Sequence, residues 1–121
     1  MAISYNFSVE NNILVVNTSG ADECLEEVQQ YGMAVIEKAV EQNCKNVLCL
    51  ETDLEYRLGG FDIFKSAEYI AASAPNVARV AIVCNPRYAD DLAFWETVAV
   101  NRGLMVRAFQ NQADALKWIN S

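Results

Sequence analysis

Histidine is absent from all 121 residues of this chain. That absence removes every mechanism that needs imidazole as general base, metal ligand or phosphate carrier. Hydrolase triads in which histidine activates serine or cysteine go with it. The four cysteines, Cys24, Cys44, Cys49 and Cys84, show no Cys-x-x-Cys spacing that would make up a metal site. No metal and no cofactor is expected. Cys49 and Cys84 fall inside apolar runs, where a free thiol acts as a small hydrophobe. All four are expected to be reduced, in a cytoplasmic protein.

Basic residues are scarce as well, nine Lys and Arg against sixteen Asp and Glu, for a net charge of −7. Such a surface repels phosphodiester backbones and anionic lipid, so no nucleic-acid or membrane partner is expected. No apolar run is long enough to cross a bilayer, and "MAISYNFSVE" has neither the basic flank nor the apolar stretch of a secretory leader. Linkers, repeats and low-complexity segments are missing too. What is present is 53% hydrophobic and 21% charged residues, the composition of one globular domain across residues 1–121.

The pattern along the chain alternates strand and helix. "ISYNFSV" (Ile3 to Val9) alternates apolar and polar, as a strand with one buried face does. "ENN" (Glu10 to Asn12) is turn chemistry before a second strand, Ile13 to Thr18, so an antiparallel hairpin is expected. The spacing then predicts a helix from Ser19 to Asn43, capped by Ser19 or Asp22, with Asp22, Glu23, Glu26 and Glu27 favoured by its dipole. Its buried face should be Leu25, Val28, Gly32, Val35, Ile36, Ala39 and Val40. "KNVLCLET" (Lys45 to Thr52) is a nearly continuous apolar strand, as in a parallel sheet covered on both faces. A turn at Asp53 to Leu58 leads to a helix from about Gly59 to Ala74, ended by Pro75. Strand Val77 to Asn85, helix Arg87 to Arg102 started by Pro86 and closed by Gly103, strand Leu104 to Phe109 and a short terminal helix complete the order. Trp95 and Trp118 read as helix-packing aromatics. The fold class is α/β: β-β-α-β-α-β-α-β-α, a mixed, mainly parallel sheet with a leading antiparallel hairpin.

With the strand "RVAIVCN" and its helix, the short strand "LMVRAF" and the closing "NQADALKWINS" in this order, the chain resembles the STAS superfamily over essentially its whole length. It is similar in particular to the stand-alone SpoIIAA-like, or STAS/SEC14-like, branch. The resemblance implies a sequential βα superhelix with an antiparallel strand at one edge. In the anti-sigma-antagonist members, the turn after the third strand holds a D-S-S-G-type motif whose serine is phosphorylated by a partner kinase, and the added charge releases the partner. That motif falls here on Arg57 to Gly60, where Arg57 replaces the acid, Leu58 and Gly59 replace the serines, and only Gly60 matches. Between Gly20 and Lys65 the one aliphatic hydroxyl is Thr52. A serine switch at this turn is therefore not expected.

The turn after the third strand and the start of the next helix remain the expected site, because ligands of α/β sheets bind at the carboxyl ends of the strands. Its candidate residues are Thr52, Asp53, Tyr56, Arg57, Gly59 and Gly60, joined by Arg87 and Tyr88 from the neighbouring strand end. Three readings of the turn stand open. Helix N–H groups with Arg57 could bind an anion, Tyr56, Leu58 and Phe61 could form an apolar patch for a partner, or the glycines could simply ease a turn while Arg57 pairs with a carboxylate. Asp90 and Asp91 read as acids at a helix start. The resemblance implies a non-enzymatic, protein-binding regulatory module, with a protein partner or a homodimer through the edge strand "ISYNFSV". Its SEC14-like relatives imply the alternative, a carrier of a small apolar or lipid molecule held between sheet and helices. An enzyme using Asp53, Glu55 and Arg57 is the remaining reading.

Overall fold

The computed structural model of the chain describes residues 3–74, 77 and 79–121. β1 (Ile3–Glu10) and β2 (Ile13–Asp22) form the expected hairpin, in register from Ile3 against Gly20 to Glu10 against Ile13. Asn11 and Asn12 close it with φ of 53° and 66°. A two-residue hairpin turn wants this left-handed pair, and asparagine adopts it more readily than most side chains.

Then come α1 (Leu25–Glu41), β3 (Asn46–Tyr56), α2 (Gly60–Ala72), β4 (Arg79–Cys84), α3 (Ala89–Asn101), β5 (Val106–Phe109) and α4 (Gln112–Ile119). A 3-10 turn at Pro86–Tyr88 leads into α3, with Asn85 Oδ1 accepting the Arg87 N–H at 3.1 Å. The strands lie in the order β1-β2-β3-β4-β5 and are antiparallel only between β1 and β2. Each crossover from β2 onward steps to the next strand in one direction, so connections of one hand place α1, α2 and α3 on the same face.

Leu14, Val16, Val47, Cys49, Ile82 and Cys84 pack against those three helices. On the opposite face Ile13, Val15, Leu48, Ala81 and Val83 meet Ala115 and Ile119 of α4. Burial on both faces is why the middle strands read as unbroken apolar runs. Trp118 packs on Phe109 with ring centroids 5.9 Å apart, as expected of a helix-packing aromatic.

Several boundaries differ from the sequence expectation: α3 starts at Ala89, after the 3-10 turn, and β5 at Val106, each two residues later than expected. Ser19 to Asp22 belong to β2 rather than to α1, and α1 starts after Cys24 without a side-chain cap. Their cap propensity loses to sheet pairing: Ser19, Gly20, Ala21 and Asp22 pair with Asp53, Leu54, Glu55 and Tyr56. β3 accordingly runs on to Tyr56, so the polar stretch expected as a turn is strand. On α1, Tyr31 is buried and Val40 is 55% exposed, because the stripe Val28–Gly32–Val35–Ala39 leaves Val40 on the outer side. α2 starts one residue later than expected and ends at Ala72; Pro75, expected to stop it, lies outside the described residues. Gly103, at φ 99°, closes α3 as expected, with the Leu104 N–H bonding back to the Ala99 carbonyl at 3.1 Å.

Candidate functional site in a cavity under three helices

A bulge in β3 sets the geometry of the site. Between the pairs Asn17–Leu50 and Ser19–Asp53, β2 advances two residues while β3 advances three. Side chains alternate across a strand, so Glu51 and Tyr56 would face opposite sides of a regular one. The extra residue turns both toward α1, α2 and α3. There Tyr56 donates its hydroxyl to Glu51 Oε1 at 2.5 Å, and Tyr31 of α1 donates to Oε2 at 2.8 Å. Thr18 Oγ1 of β2 lies 2.9 Å from the Tyr31 oxygen. Because the hydrogen of Tyr31 goes to Glu51, Thr18 is the donor of that third bond. Glu51 is 7% exposed, and among the described residues no buried side-chain polar atom lacks a partner.

Glu51 lines a cavity of about 110 Å3 between the sheet and the three helices. Val35, Ile63, Ile70, Ile82, Leu92 and Trp95 are among the apolar residues of its wall. Gly32 lets α1 and α2 come together over it: a Cβ there would fall 2.7 Å from Ile70 Cγ1. Ser66 also lines it, buried, donating to the Ile63 carbonyl at 2.9 Å and accepting from Trp95 Nε1 at 3.1 Å. Asp22 and Asp91 complete the lining, and Asp22 Oδ1 accepts the Arg57 N–H at 2.5 Å.

Burial raises the Glu51 carboxyl above the usual glutamate range, against the lowering effect of the Tyr56 and Tyr31 hydroxyls; the Asp22 charge raises it further. The two phenols are themselves pushed well up by burial and then by the Glu51 charge, so they stay protonated and donate. Cys49 and Cys84 are pushed up by the same two causes in the same order, which makes them poor nucleophiles. Burial lifts Asp22 to about 6, opposed by the backbone N–H groups of Arg57 and Leu58 and helped by the charges of Asp91 and Glu27.

For Asp22 this means that, between its ordinary 3.8 and about 6, the folded chain holds a proton that the unfolded chain has released. Its contribution to stability is present below that window and is lost as pH rises through it. Allowing for partial solvent screening, the loss is about 1–2 kcal/mol. Asp22→Asn keeps the Oδ1 acceptor and removes the titration. Urea unfolding at pH 4.5 and 7.5 is expected to show the variant losing that much less stability between the two; an unchanged pH slope contradicts this assignment.

The eight residues expected to form the site separate into two places. Tyr56 and Tyr88 meet, with ring centroids 5.2 Å apart, and Arg87 lies over the Tyr88 ring at 5.9 Å, so the two loops adjoin as expected. Thr52 and Asp53, at the bulge, instead line an open polar groove with Asn17, Ser19, Gln110 and Gln112. Arg57 pairs with Glu55 at 2.6 Å and with Glu23, the carboxylate-pairing reading of the turn. Gly59 and Gly60 need no glycine: neither has a positive φ, and a Cβ on either meets nothing within 4 Å. Tyr56 and Leu58 pack against the core, which leaves Phe61, 72% exposed, as the apolar surface of the expected patch. Asp90 and Asp91 stand in the first turn of α3, as expected. Among the described residues no group of three or more Cys, Asp or Glu is placed to hold a metal ion, and no helix is long and apolar enough to cross a membrane.

Glu51, Tyr31 and Thr18 are not among the site residues expected from the sequence, and Asp22 is expected there only as a helix cap. Glu51 had a signal: it continues the Val47–Cys49 alternation and so puts a carboxylate on a buried face. Tyr31 sits three residues after Val28 and four before Val35, on the buried stripe of α1.

The element order, the sheet order with its leading antiparallel pair, and one face covered by α1, α2 and α3 define a STAS/SpoIIAA-like fold. The crystal structure of an anti-sigma factor antagonist from Mycobacterium paratuberculosis is similar to the chain with a TM-score of 0.67 and 14% identity, over 99% of this chain and 96% of that one. An uncharacterised protein of the DUF3478 family from Shewanella loihica, described as having a SpoIIAA-like fold, is similar with a TM-score of 0.53 and 19% identity, over 98% and 94%. No protein-family model and no curated protein matches the chain.

Proposed function

We propose that the chain is a non-catalytic STAS-like binding module whose interior cavity takes up a small, largely apolar molecule. The observation that carries this reading is the cavity itself, about 110 Å3 with an almost wholly apolar wall. Protein interiors are normally packed without voids of this size, and an apolar void of about 150 Å3 is large enough to take benzene. Catalysis has no support in the site. The thiols are raised, the Ser66 hydroxyl is engaged at both ends, and Asp53 lines the open polar groove while Glu55 is taken up in its ion pair with Arg57. Methyl NMR with added benzene tests the reading. Saturable shifts are expected at Ile63, Ile70 and Ile82, with Ile13 and Val15 unmoved; equal shifts on both faces, or none, would overturn it.

A protein partner is the second reading, favoured by Phe61. It stands 72% exposed at the start of α2, beside the position of the phosphoserine motif in the anti-sigma-antagonist members this chain resembles. An exposed aromatic anchor of this kind contributes about 2 kcal/mol or more to an interface, roughly 30-fold in affinity. Phe61→Ser is expected to weaken binding of a purified partner by that factor, while Phe94→Ser, on α3, leaves it unchanged. Equal effects of the two would remove Phe61 from the interface. A regulatory role and a cytoplasmic location fit either reading. So does a homodimer through the open edge of β1, which light scattering tests.

A further inference from the structure

Among the described residues, every charged side chain that lines the cavity is a carboxylate, from Glu51, Asp22 and Asp91. Among them, Lys and Arg are missing from that lining. Arg57, whose backbone touches Asp22, has its own guanidinium matched by Glu55 and Glu23 on the outer surface. An anion would enter against three like charges, without a cation to meet it. A fully apolar guest would fill the wall and leave the carboxylates without a counter-charge. Neither matches the whole lining.

Glu51 is built to accept one more donor. Its two oxygens take one hydrogen bond each, from Tyr56 and Tyr31, whereas a carboxylate has about four acceptor positions. Thr18 and Tyr31 hold the group in place from β2 and α1, and Tyr56 holds it from its own strand across the bulge. The carboxyl is thus fixed by three elements rather than left to swing, which is how a recognition group is kept ready. Keeping such a group in an apolar cavity is unfavourable in itself, and apolar residues of the same volume often stabilise a core more. A bound cation offsets that cost by a charge-assisted hydrogen bond.

We propose, building on the cavity reading above, that the guest is a small primary amine, its protonated nitrogen donating to Glu51 near Asp22 and its apolar body lying among Val35, Ile63, Ile70 and Ile82. The volume of about 110 Å3 limits that body to a short branched chain or a single ring. The specificity comes from both parts of the lining. The wall rejects polar bodies, and the carboxylates reject acids.

Isothermal calorimetry at pH 7.5 with 3-methylbutylamine, 3-methyl-1-butanol and 3-methylbutanoate separates the terms, with the benzene titration as the reading of the cavity alone. The amine is expected to bind at least tenfold more tightly than the alcohol, and the acid not measurably. Glu51→Gln is expected to bring the amine-to-alcohol ratio to within about twofold of one, and Val40→Ser, on the exposed side of α1, to leave it unchanged. Folding of each variant is checked by its methyl spectrum, and Asp22→Asn, which keeps its backbone hydrogen bond, provides a second charge deletion that lowers the ratio. Equal binding of amine and alcohol, or a preference that survives both charge deletions, overturns the proposal. Benzene binding without amine preference overturns the amine alone; no binding of any probe overturns the cavity reading with it.

Discussion

Gly32→Val is expected to destabilise the chain by about 3 kcal/mol. The cause is one helix crossing: a Cβ at position 32 falls 2.7 Å from Ile70 Cγ1, well inside van der Waals contact, and closer still to Cδ1. Ile70 is 8% exposed on α2, so its side chain can yield only into the cavity it lines, by leaving its preferred rotamer. The gain in helix propensity from replacing a mid-helix glycine, about 0.5–1 kcal/mol, is too small to offset the overlap. Ile70→Ala alone is expected to cost about 2–5 kcal/mol as a large-to-small core change. Together the two should cost at least about 1.5 kcal/mol less than their sum, because each makes room for the other. Denaturant unfolding of the four proteins measures this coupling. Additivity within about 0.5 kcal/mol would mean that α1 and α2 do not meet at this pair.

The second large effect is at Glu51. Glu51→Leu removes the acceptor of two buried phenols, and each unpaired hydroxyl costs about 1–3 kcal/mol. A loss of about 2–6 kcal/mol is therefore expected. Adding Tyr31→Phe, Tyr56→Phe and Thr18→Val deletes the stranded hydroxyls as well, leaving shapes that differ little from the original. Replacing a whole buried polar group by apolar residues is often neutral or stabilising, by about 1–4 kcal/mol. The quadruple variant is thus expected to be at least as stable as the wild type, yet unable to distinguish amine from alcohol. A quadruple variant as unstable as Glu51→Leu would make the cluster a requirement of the fold. In that case its presence would need no ligand to explain it.

Hydropathy period made most of the fold legible in the sequence. Unbroken apolar strands between amphipathic helices leave few alternatives to a parallel sheet, and the polar "ENN" turn marked the one antiparallel pair. The misplaced ends of β2 and β3 share a cause. Ser19 to Asp22 carry cap chemistry, and Asp53 to Tyr56 begin a stretch of turn chemistry, but the two segments are partners. Each becomes strand because the other is there, and such a long-range pairing has no local signal. The same pairing carries the bulge, and the bulge aims Tyr56 at Glu51. Reading the turn as a loop therefore hid the site. It left Glu51 out of the expected site and put Tyr56 in a surface patch. Phe61, Arg57 and the Tyr56–Tyr88 meeting of the two strand ends, by contrast, needed only the order of elements to be placed. Gly59 and Gly60 mattered less than the sequence suggested, since their backbone conformations are open to other residues.

Native mass spectrometry of the chain, purified at neutral pH without organic solvent, tests the central claim most directly. The account predicts a single stoichiometric adduct of low mass on the wild type, released on collisional activation, and its absence from Ile70→Trp, in which an indole fills the cavity. Bare wild-type protein that also fails to form a one-to-one adduct with added 3-methylbutylamine or benzene, or an adduct that persists in Ile70→Trp, would contradict it.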